Sequence, residues 1–310
     1  MALSIHTNYS SLITQTNLTK TNNALGTNQQ RLGTGYRINS AADDAAGLQI
    51  ATRLNAQSRG MDVAIRNTND AVSLLQTAEG AFQEMTDIVQ RMKDLATQAA
   101  NGTNSDDDLM ALEAEYAELG AELKNIFTNT KYAGEVLFGS TTGTAFTAAA
   151  ADGKLSKQDG IKFQIGSSST ETLEMKIGGK FVTLNTALTK ISDDYAGTTK
   201  SATSAGNIAF KAGTTVTNKT ATLIDDINDA LDAIGEVRSA LGANINRLNH
   251  TANNLSNMKD NTDSAKGRIL DADFAKESAN MTKNSMLLQS GISMLKQAGQ
   301  MPSMVMSLLG

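Results

Sequence analysis

The sequence predicts a mainly α-helical protein: an elongated antiparallel coiled-coil helical bundle with a β-hairpin and a small Thr/Ser/Gly-rich, β-containing insert. Three observations support this fold class. The chain of 310 residues has a single proline, Pro302, so little interrupts long helices. Apolar residues recur in steps of three and four over long stretches on both sides of residues 140–222. Residues 140–222 are instead rich in Thr, Ser, Gly and Ala.

The first long stretch runs from Ala51 to Ala99 and predicts one helix, or two nearly collinear ones, of about 50 residues. Asn101-Gly102 ends this stretch. Ser105 and the three aspartates that follow it favour a new helix start, because a serine oxygen can accept from free backbone N–H groups and acids suit the positive end of the helix dipole. Helical spacing over residues 109–126 then predicts a shorter second helix.

In the middle of the chain the helical spacing of apolar residues is lost. Residues 161–177 alternate between apolar and polar side chains around a Gly-Ser-Ser-Ser-Thr turn, which predicts a β-hairpin. The next segment, 179–222, has weak strand signals around Ile208 and Phe210 and is expected to form a short, variable, surface-exposed insert. Helical spacing returns at Leu223 and predicts another long helix, with the narrow apolar stripe of a coiled-coil seam or of a simple bundle core.

The two ends of the chain are amphipathic but poor in strong helix formers. Residues 1–40 contain seventeen Thr, Asn or Ser residues, which compete for backbone hydrogen bonds, and residues 281–310 contain six methionines. Such segments are marginal as isolated helices and tend to become ordered against a partner surface. We therefore expect the ends to pair with each other, or with the ends of neighbouring copies, through regularly spaced apolar residues: Leu18, Leu25, Leu32, Leu288, Ile292 and Leu295.

The composition argues against several functional classes. The chain has no cysteine, which excludes disulfides, cysteine-ligated zinc and a thiol nucleophile, and its two histidines, His6 and His250, leave little for a catalytic triad or a metal site. A net charge of −5 makes a nucleic-acid partner unexpected. No apolar run approaches the roughly 18 to 20 residues of a membrane helix, so membrane insertion is not expected.

Two acidic clusters are interpreted as helix starts rather than as metal sites. A calcium loop beginning at Asp106 or Asp271 would need an acidic ligand at its twelfth position, where Ala117 or Thr282 stands. Gly33-Thr-Gly35 lacks the preceding strand and the third glycine of a dinucleotide-binding loop. The sequence therefore predicts a protein that is not an enzyme and that has no metal and no cofactor.

Several stretches at both ends of the chain form a specific pattern, in order and in spacing. They are Ile5-His-Thr-Asn-Tyr9, the segment from Gln30 to Leu48, the segment from Gln90 to Asn101, the segment from Gly267 to Ala275, and Ser307-Leu-Leu309. With this pattern the chain resembles bacterial flagellin, the subunit of the flagellar filament. The resemblance covers about residues 1–140 and 220–310.

The resemblance implies a structural subunit that self-polymerises, many copies together, into the extracellular filament used for swimming. Residues 1–42 and 270–310 would form a terminal coiled-coil domain in the inner core of the filament, disordered in the free monomer, with the six apolar residues named above as its self-association residues. Residues 43–178 and 223–269 would form a helical rod domain that includes the hairpin, and residues 179–222 would form the outer insert.

The resemblance also implies partners. The family is exported unfolded through the flagellar type III channel, and a flagellin export chaperone would bind the C-terminal segment; filament cap and hook-junction proteins would be neighbours. The family's contact motif for an innate Toll-like receptor falls on Arg91, Leu95 and Glu115. Arg91 and Leu95 share a helix face, and Glu115 can come alongside on the next helix. None of the three lies on the apolar stripes, so all are expected to be free to contact a partner.

Two other functions remain open at this point. A hook–filament junction protein shares flagellin-like ends, but the matched segments 90–101 and 267–275 favour flagellin itself. A chemoreceptor signalling rod is also a long, Ala-rich coiled coil. It would need a membrane anchor and an uninterrupted helical hairpin, and the Thr/Gly-rich insert counts against it.

Overall fold

The described part of the chain folds mainly into α-helices, with two small antiparallel sheets, which confirms the predicted fold class. The computed structural model describes residues 8–139, 153–157, 159–192 and 216–309. Its helices are α1 Tyr9–Thr34, α2 Ala45–Ala99, α3 Asp106–Asn129, α4 Gly178–Ile191, α5 Val216–Leu270 and α6 Phe274–Leu309. Its strands are β1 Lys131–Tyr132, β2 Glu135–Val136, β3 Ile161–Gln164 and β4 Thr172–Met175. No helix in the described ranges is long and apolar enough to cross a membrane.

The residues fall into two compact units, one formed by 1–59 with 258–310 and the other by 60–257. We call these the terminal unit and the rod unit. The predicted division at residues 42/43 and 269/270 concerns which segments enter an assembly core, and it stays a proposal.

The rod unit is built around a continuous apolar core to which α2, α3, α4 and α5 all contribute. Four fully buried phenylalanines lie at its centre, with neighbouring ring centroids 4.8 to 5.7 Å apart. They are Phe82, Phe127, Phe138 and Phe181. These spacings are those of offset and tilted aromatic pairs, which stabilise a core beyond simple burial. The rod core therefore contains an aromatic cluster although the chain has few aromatic residues, because half of its eight phenylalanines are concentrated here.

The start of α3 follows the predicted chemistry. The Ser105 hydroxyl accepts from the Asp108 N–H at 3.2 Å, and the Asp108 carboxylate accepts from the Ser105 N–H at 3.0 Å, which is a capping box. The Ser105 hydroxyl also donates to the Asp108 carboxylate at 2.6 Å, and this bond, followed by the one from the Ser105 N–H, holds the pKa of the Asp108 carboxyl below its ordinary value. The interpretation of this acidic cluster as a helix start is confirmed.

The predicted β-hairpin is present. Strands β3 and β4 pair antiparallel, with Phe163 opposite Leu173. The turn between them lies against α2 at Gly60, where a β-carbon would come within 2.6 Å of the Ser167 β-carbon. The Asn67 side chain also donates to the Gln164 carbonyl oxygen at 3.2 Å. The absence of a side chain at Gly60 therefore lets the hairpin lie close to the helix.

The expectation of an exposed insert over 179–222 is wrong for its first part. Residues 178–191 form α4, and Phe181, Leu184, Leu188 and Ile191 are buried in the rod core. The buried Tyr116 hydroxyl donates to the Ile191 carbonyl oxygen at 2.8 Å, so α3 holds the end of this helix; burial, helped by the negative charge of Asp226, raises the pKa of Tyr116. The weak strands expected around Ile208 and Phe210 lie outside the described residues.

The small sheet of β1 and β2 was not foreseen. Its two strands are joined by Ala133 and Gly134, which both have positive φ, at 52° and 85°. Two positive φ angles are typical of a two-residue hairpin turn, because such a turn matches the twist of the flanking strands.

The last long helix of the rod unit starts earlier than predicted. Helix α5 begins at Val216, seven residues before Leu223, where the sequence predicts its start.

Candidate self-association and contact surfaces

Helices α1 and α6 pack against each other as an antiparallel pair in the terminal unit. At one end, the Asn8 side chain donates to the Ala298 carbonyl oxygen at 2.7 Å. Near the middle, a β-carbon on Gly291 would lie 3.3 Å from the Leu18 side chain. At the other end, Tyr36 and Asp271 form an antiparallel bridge. These contacts fix the register of the two helices along their whole common length.

The seam of this pair is a series of buried and half-buried residues that repeats in steps of three and four on both helices, as in a coiled coil. On α1 the seam consists of Ser11, Thr14, Leu18, Thr21, Leu25, Asn28 and Leu32, and on α6 of Glu277, Met281, Asn284, Leu288, Gly291, Leu295 and Ala298. Half of these positions carry a polar side chain or glycine. The pair therefore buries far less apolar surface than a coiled coil with an aliphatic seam.

Five of the six predicted self-association residues lie on this seam: Leu18, Leu25, Leu32, Leu288 and Leu295. They already pack within one subunit. Ile292 is different, because its side chain is off the seam and 52% exposed. The regular spacing of leucines identifies the seam within one subunit. Contacts with other copies would involve residues that are exposed on the pair, such as Ile292.

The three buried side-chain polar atoms that lack a hydrogen-bond partner, within the described ranges, all lie at the base of this pair. They are Asn28 Nδ2, Arg31 Nε and Glu277 Oε2. Arg31 Nη1 does donate to Glu277 Oε1 at 3.2 Å, so the two charges are paired. An unpartnered buried polar atom costs free energy, which further lowers the stability of the pair. Sequence reasoning missed this cluster, although Asn28 stands in step with the leucines.

Apolar side chains also lie outside the seam of the pair. We call them the outer apolar residues; each is substantially exposed, and they are Leu12 and Ile13 on α1 and Met286, Leu287, Ile292 and Met294 on α6. Exposed apolar side chains leave water when another chain packs against them, and this burial stabilises association. These residues are therefore candidates for contact with other chains.

In the rod unit the structure brings Arg91 and Glu115 together, as predicted. Arg91 on α2 donates from Nε and Nη2 to the same Glu115 oxygen on α3, at 2.9 and 2.7 Å, and both side chains are about half exposed. Leu95 is different. It is only 1% exposed and belongs to the rod core, so the expectation that it is free to contact a partner is wrong. The end of α2 buries a wider arc than a narrow seam, with Met92, Leu95 and Ala96 all inside.

The second acidic cluster also starts a helix. The Asp273 carboxylate accepts from the N–H groups of Ala275 and Lys276, at 3.0 and 3.1 Å, in the first turn of α6. His250 is an exposed residue of α5, and His6 lies outside the described residues. Across the described part of the chain, no three acidic, histidine or cysteine side chains are grouped as a metal site would need.

Comparisons with known proteins indicate the family to which the chain belongs. Residues 5–143 match the bacterial flagellin N-terminal helical region, and residues 224–309 match the bacterial flagellin C-terminal helical region. Flagellin D of Vibrio cholerae is 36% identical over 377 aligned positions that cover 100% of both chains. The B-type flagellin of Pseudomonas aeruginosa is 49% identical over 177 residues. That alignment takes in 57% of this chain and 33% of the relative, so the chain spans about a third of that longer protein.

A solved structure shows a similar fold at low identity. A flagellar hook-associated protein from Vibrio parahaemolyticus superposes with a TM-score of 0.53, covering 74% of this chain and 100% of that chain, at 15% identity. This likeness concerns the fold alone. The family rests instead on the two matched helical regions and on a relative that is similar over its full length. The chain therefore belongs to the bacterial flagellin family, whose members are structural subunits of the flagellar filament and not enzymes.

Proposed function

We propose that many copies of this protein self-polymerise into a filament that drives swimming, and that the α1–α6 pair forms the inner core of that filament. The observation that carries this proposal is the set of outer apolar residues on the pair. Burying apolar surface stabilises association by about 25 cal/mol for each Å² removed from water. A helical polymer repeats the same contact along its length, so a modest gain per subunit is sufficient.

The polar seam supports a coupling between assembly and folding. Because the seam of the pair contains Thr, Asn and Ser residues, and because three unpartnered polar atoms lie in or beside it, the pair has little stability of its own. Neighbouring copies would supply the missing apolar contacts. In this proposal the two terminal helices have little stable structure in the free monomer and become firmly helical in the filament.

Ile292 provides a direct test, because its exposure means that a substitution costs the single subunit little. We expect Ile292→Asp to block polymerisation, since an unpaired carboxylate buried between subunits costs several kcal/mol and the cost recurs at every subunit. Ile292→Leu is the matched control and should polymerise as the parent does. Sedimentation and electron microscopy of seeded protein give the readout. Normal filaments from Ile292→Asp would contradict the proposal.

Secretion and partners form a second part of the proposal. The subunit would leave the cell unfolded through the flagellar type III channel, aided by an export chaperone on the C-terminal segment, and would meet filament cap and hook-junction proteins outside. A chain without cysteine and with a single proline suits such a route, because no disulfide and few isomerising bonds restrict its unfolded form. Deleting residues 281–310 should abolish chaperone binding in a pull-down with the chaperone.

Receptor recognition is the third part. We propose that the free subunit is bound by an innate Toll-like receptor at Arg91 and Glu115, which are exposed on neighbouring helices. Leu95 would contribute from beneath, because it lies one turn beyond Arg91 and anchors that turn of α2 in the core. The exposure of the pair and its place on a rigid helical frame support this proposal.

A further inference from the structure

Among the methionines of α6 up to residue 300, where the structure describes the side chains, two stand out by their exposure. Met286 and Met294 are 63% and 62% exposed, whereas Met61, Met85 and Met92 in the rod unit are at most 1% exposed. Both exposed methionines belong to the outer apolar residues, beside Leu287. A thioether is flexible and polarizable, so it fills irregular apolar contacts well. It is also the side chain in this cysteine-free chain that is most readily oxidised.

We propose that Met286 and Met294 are an oxidation site that controls assembly: peroxide modifies them in the free subunit and thereby prevents polymerisation. In each reaction the sulfur attacks one peroxide oxygen, the O–O bond breaks, and a sulfur–oxygen bond forms. The thioether loses two electrons and becomes a sulfoxide, while hydrogen peroxide is reduced to water. The inference rests on the proposed function, because it needs these side chains to be buried between copies.

The physical reason lies in the change of polarity. A sulfoxide carries a strongly polar oxygen in place of an apolar sulfur surface. In a free subunit this oxygen is hydrated, because both side chains are exposed in the α1–α6 pair and remain in water wherever the pair is open. In a subunit interface it would lose its water without gaining a designated donor, which disfavours association. Filaments formed beforehand should in turn shield the two sulfurs from peroxide.

The geometry adds a second reason for choosing these two residues. Met286 and Met294 are eight residues apart, which places them about 80° apart around α6 and about 12 Å apart along its axis. Two modified residues would therefore place two polar oxygens on the exposed part of the same helix. Met110, which is 49% exposed on α3 in the rod unit, is a methionine of comparable exposure outside this surface and serves as the control.

The test treats monomeric full-length protein with hydrogen peroxide and then seeds it. Peptide mass mapping should find sulfoxide at Met286 and Met294. The critical concentration for polymerisation should rise by about tenfold, which corresponds to about 1.4 kcal/mol per subunit. The double variant Met286→Leu/Met294→Leu should polymerise with or without peroxide, because leucine conserves the volume of methionine. Met110→Leu should remain as sensitive to peroxide as the parent.

Two further measurements separate this inference from the proposed function. Methionine sulfoxide reductases acting on both sulfoxide epimers should restore polymerisation of the oxidised protein. Preformed filaments should take up sulfoxide at Met286 and Met294 more slowly than monomers do. If untreated protein polymerises but oxidised protein polymerises equally well, or if the double variant remains sensitive, this inference is overturned while the proposed function stands. If untreated protein forms no filaments, the proposed function itself fails.

Discussion

Arg91 of α2 donates two hydrogen bonds to a single carboxylate oxygen of Glu115 on α3, from Nε at 2.9 Å and from Nη2 at 2.7 Å. Both side chains are about half exposed, so water screens the pair and its contribution to stability is small. The two opposite charges lie beside each other on the surface of the rod unit. An incoming partner would meet both of them at one place.

Replacing Arg91 therefore tests recognition without unfolding the rod. We expect Arg91→Ala to weaken receptor signalling by the monomer at least about tenfold, because a guanidinium anchor in an interface can contribute about 2 kcal/mol or more. Reporter-cell dose–response curves provide the measurement. Arg66→Ala, which removes another exposed arginine of α2, is the control and should signal normally. Identical curves for Arg91→Ala and the parent would refute the assignment.

Gly60 should be needed for the hairpin to pack against α2. In Gly60→Ala the new β-carbon would meet Ser167 at 2.6 Å, so the turn must move away, and amide hydrogen exchange should become faster in β3 and β4. Gly80→Ala is a matched control on the same helix, because a β-carbon there meets nothing within 4 Å. It should stabilise the helix by about 1 kcal/mol. Unchanged exchange in the hairpin of Gly60→Ala would show that the close approach has no consequence.

The Ser105–Asp108 capping box should make part of the rod's stability depend on pH. Hydrogen bonds from Ser105 lower the pKa of Asp108 below its ordinary value of 3.8. A group with a depressed folded pKa stabilises the fold above its unfolded pKa, and this contribution is lost as the pH falls through the folded pKa. Carboxyl titration by NMR should show the pKa of Asp108 moving up, towards 3.8, in Ser105→Ala. An unchanged titration would mean that the capping box does not form in solution.

Asn28 should weaken the α1–α6 pair. Its buried Nδ2 has no partner, so Asn28→Leu removes an unsatisfied donor and adds apolar contact in the seam, for a gain of roughly 1–3 kcal/mol in local stability. Circular dichroism of the monomer should show more helix than in the parent, and this helix should melt at a higher temperature. Asn23→Leu, at an exposed position of α1, should leave that transition in place. A transition that does not move, or that moves down, in Asn28→Leu would contradict the seam described for the pair.

Sequence patterns predicted the elements whose signals are local. Helix α2, the Ser105 cap and the β3–β4 hairpin follow from periodicity and end chemistry, and the resemblance to flagellin and the non-enzymatic character are confirmed. Helix α4 was missed, because its Gly178-Gly179 start and Thr-rich composition are typical of a loop. Its formation depends on tertiary burial, and the spacing of its four buried apolar residues was the available signal.

Some residues of the candidate sites could be predicted from local signals, and others could not. The approach of Arg91 and Glu115 could be predicted, because the short connection that ends in the Ser105 cap turns α3 back alongside α2. The burial of Leu95 could not, because the width of an apolar face depends on how many elements cover it. Likewise, spacing alone does not distinguish a seam residue such as Leu288 from an outer one such as Ile292.

The central claim is that the terminal helices gain their stability from assembly. Amide hydrogen exchange on monomer and filament tests it most directly, because local opening free energies are read residue by residue. We predict weak protection of α1 and α6 in the monomer, strong protection of both in the filament, and strong protection of α3 and α4 in both states. Strong protection of α1 and α6 in the monomer would contradict the account.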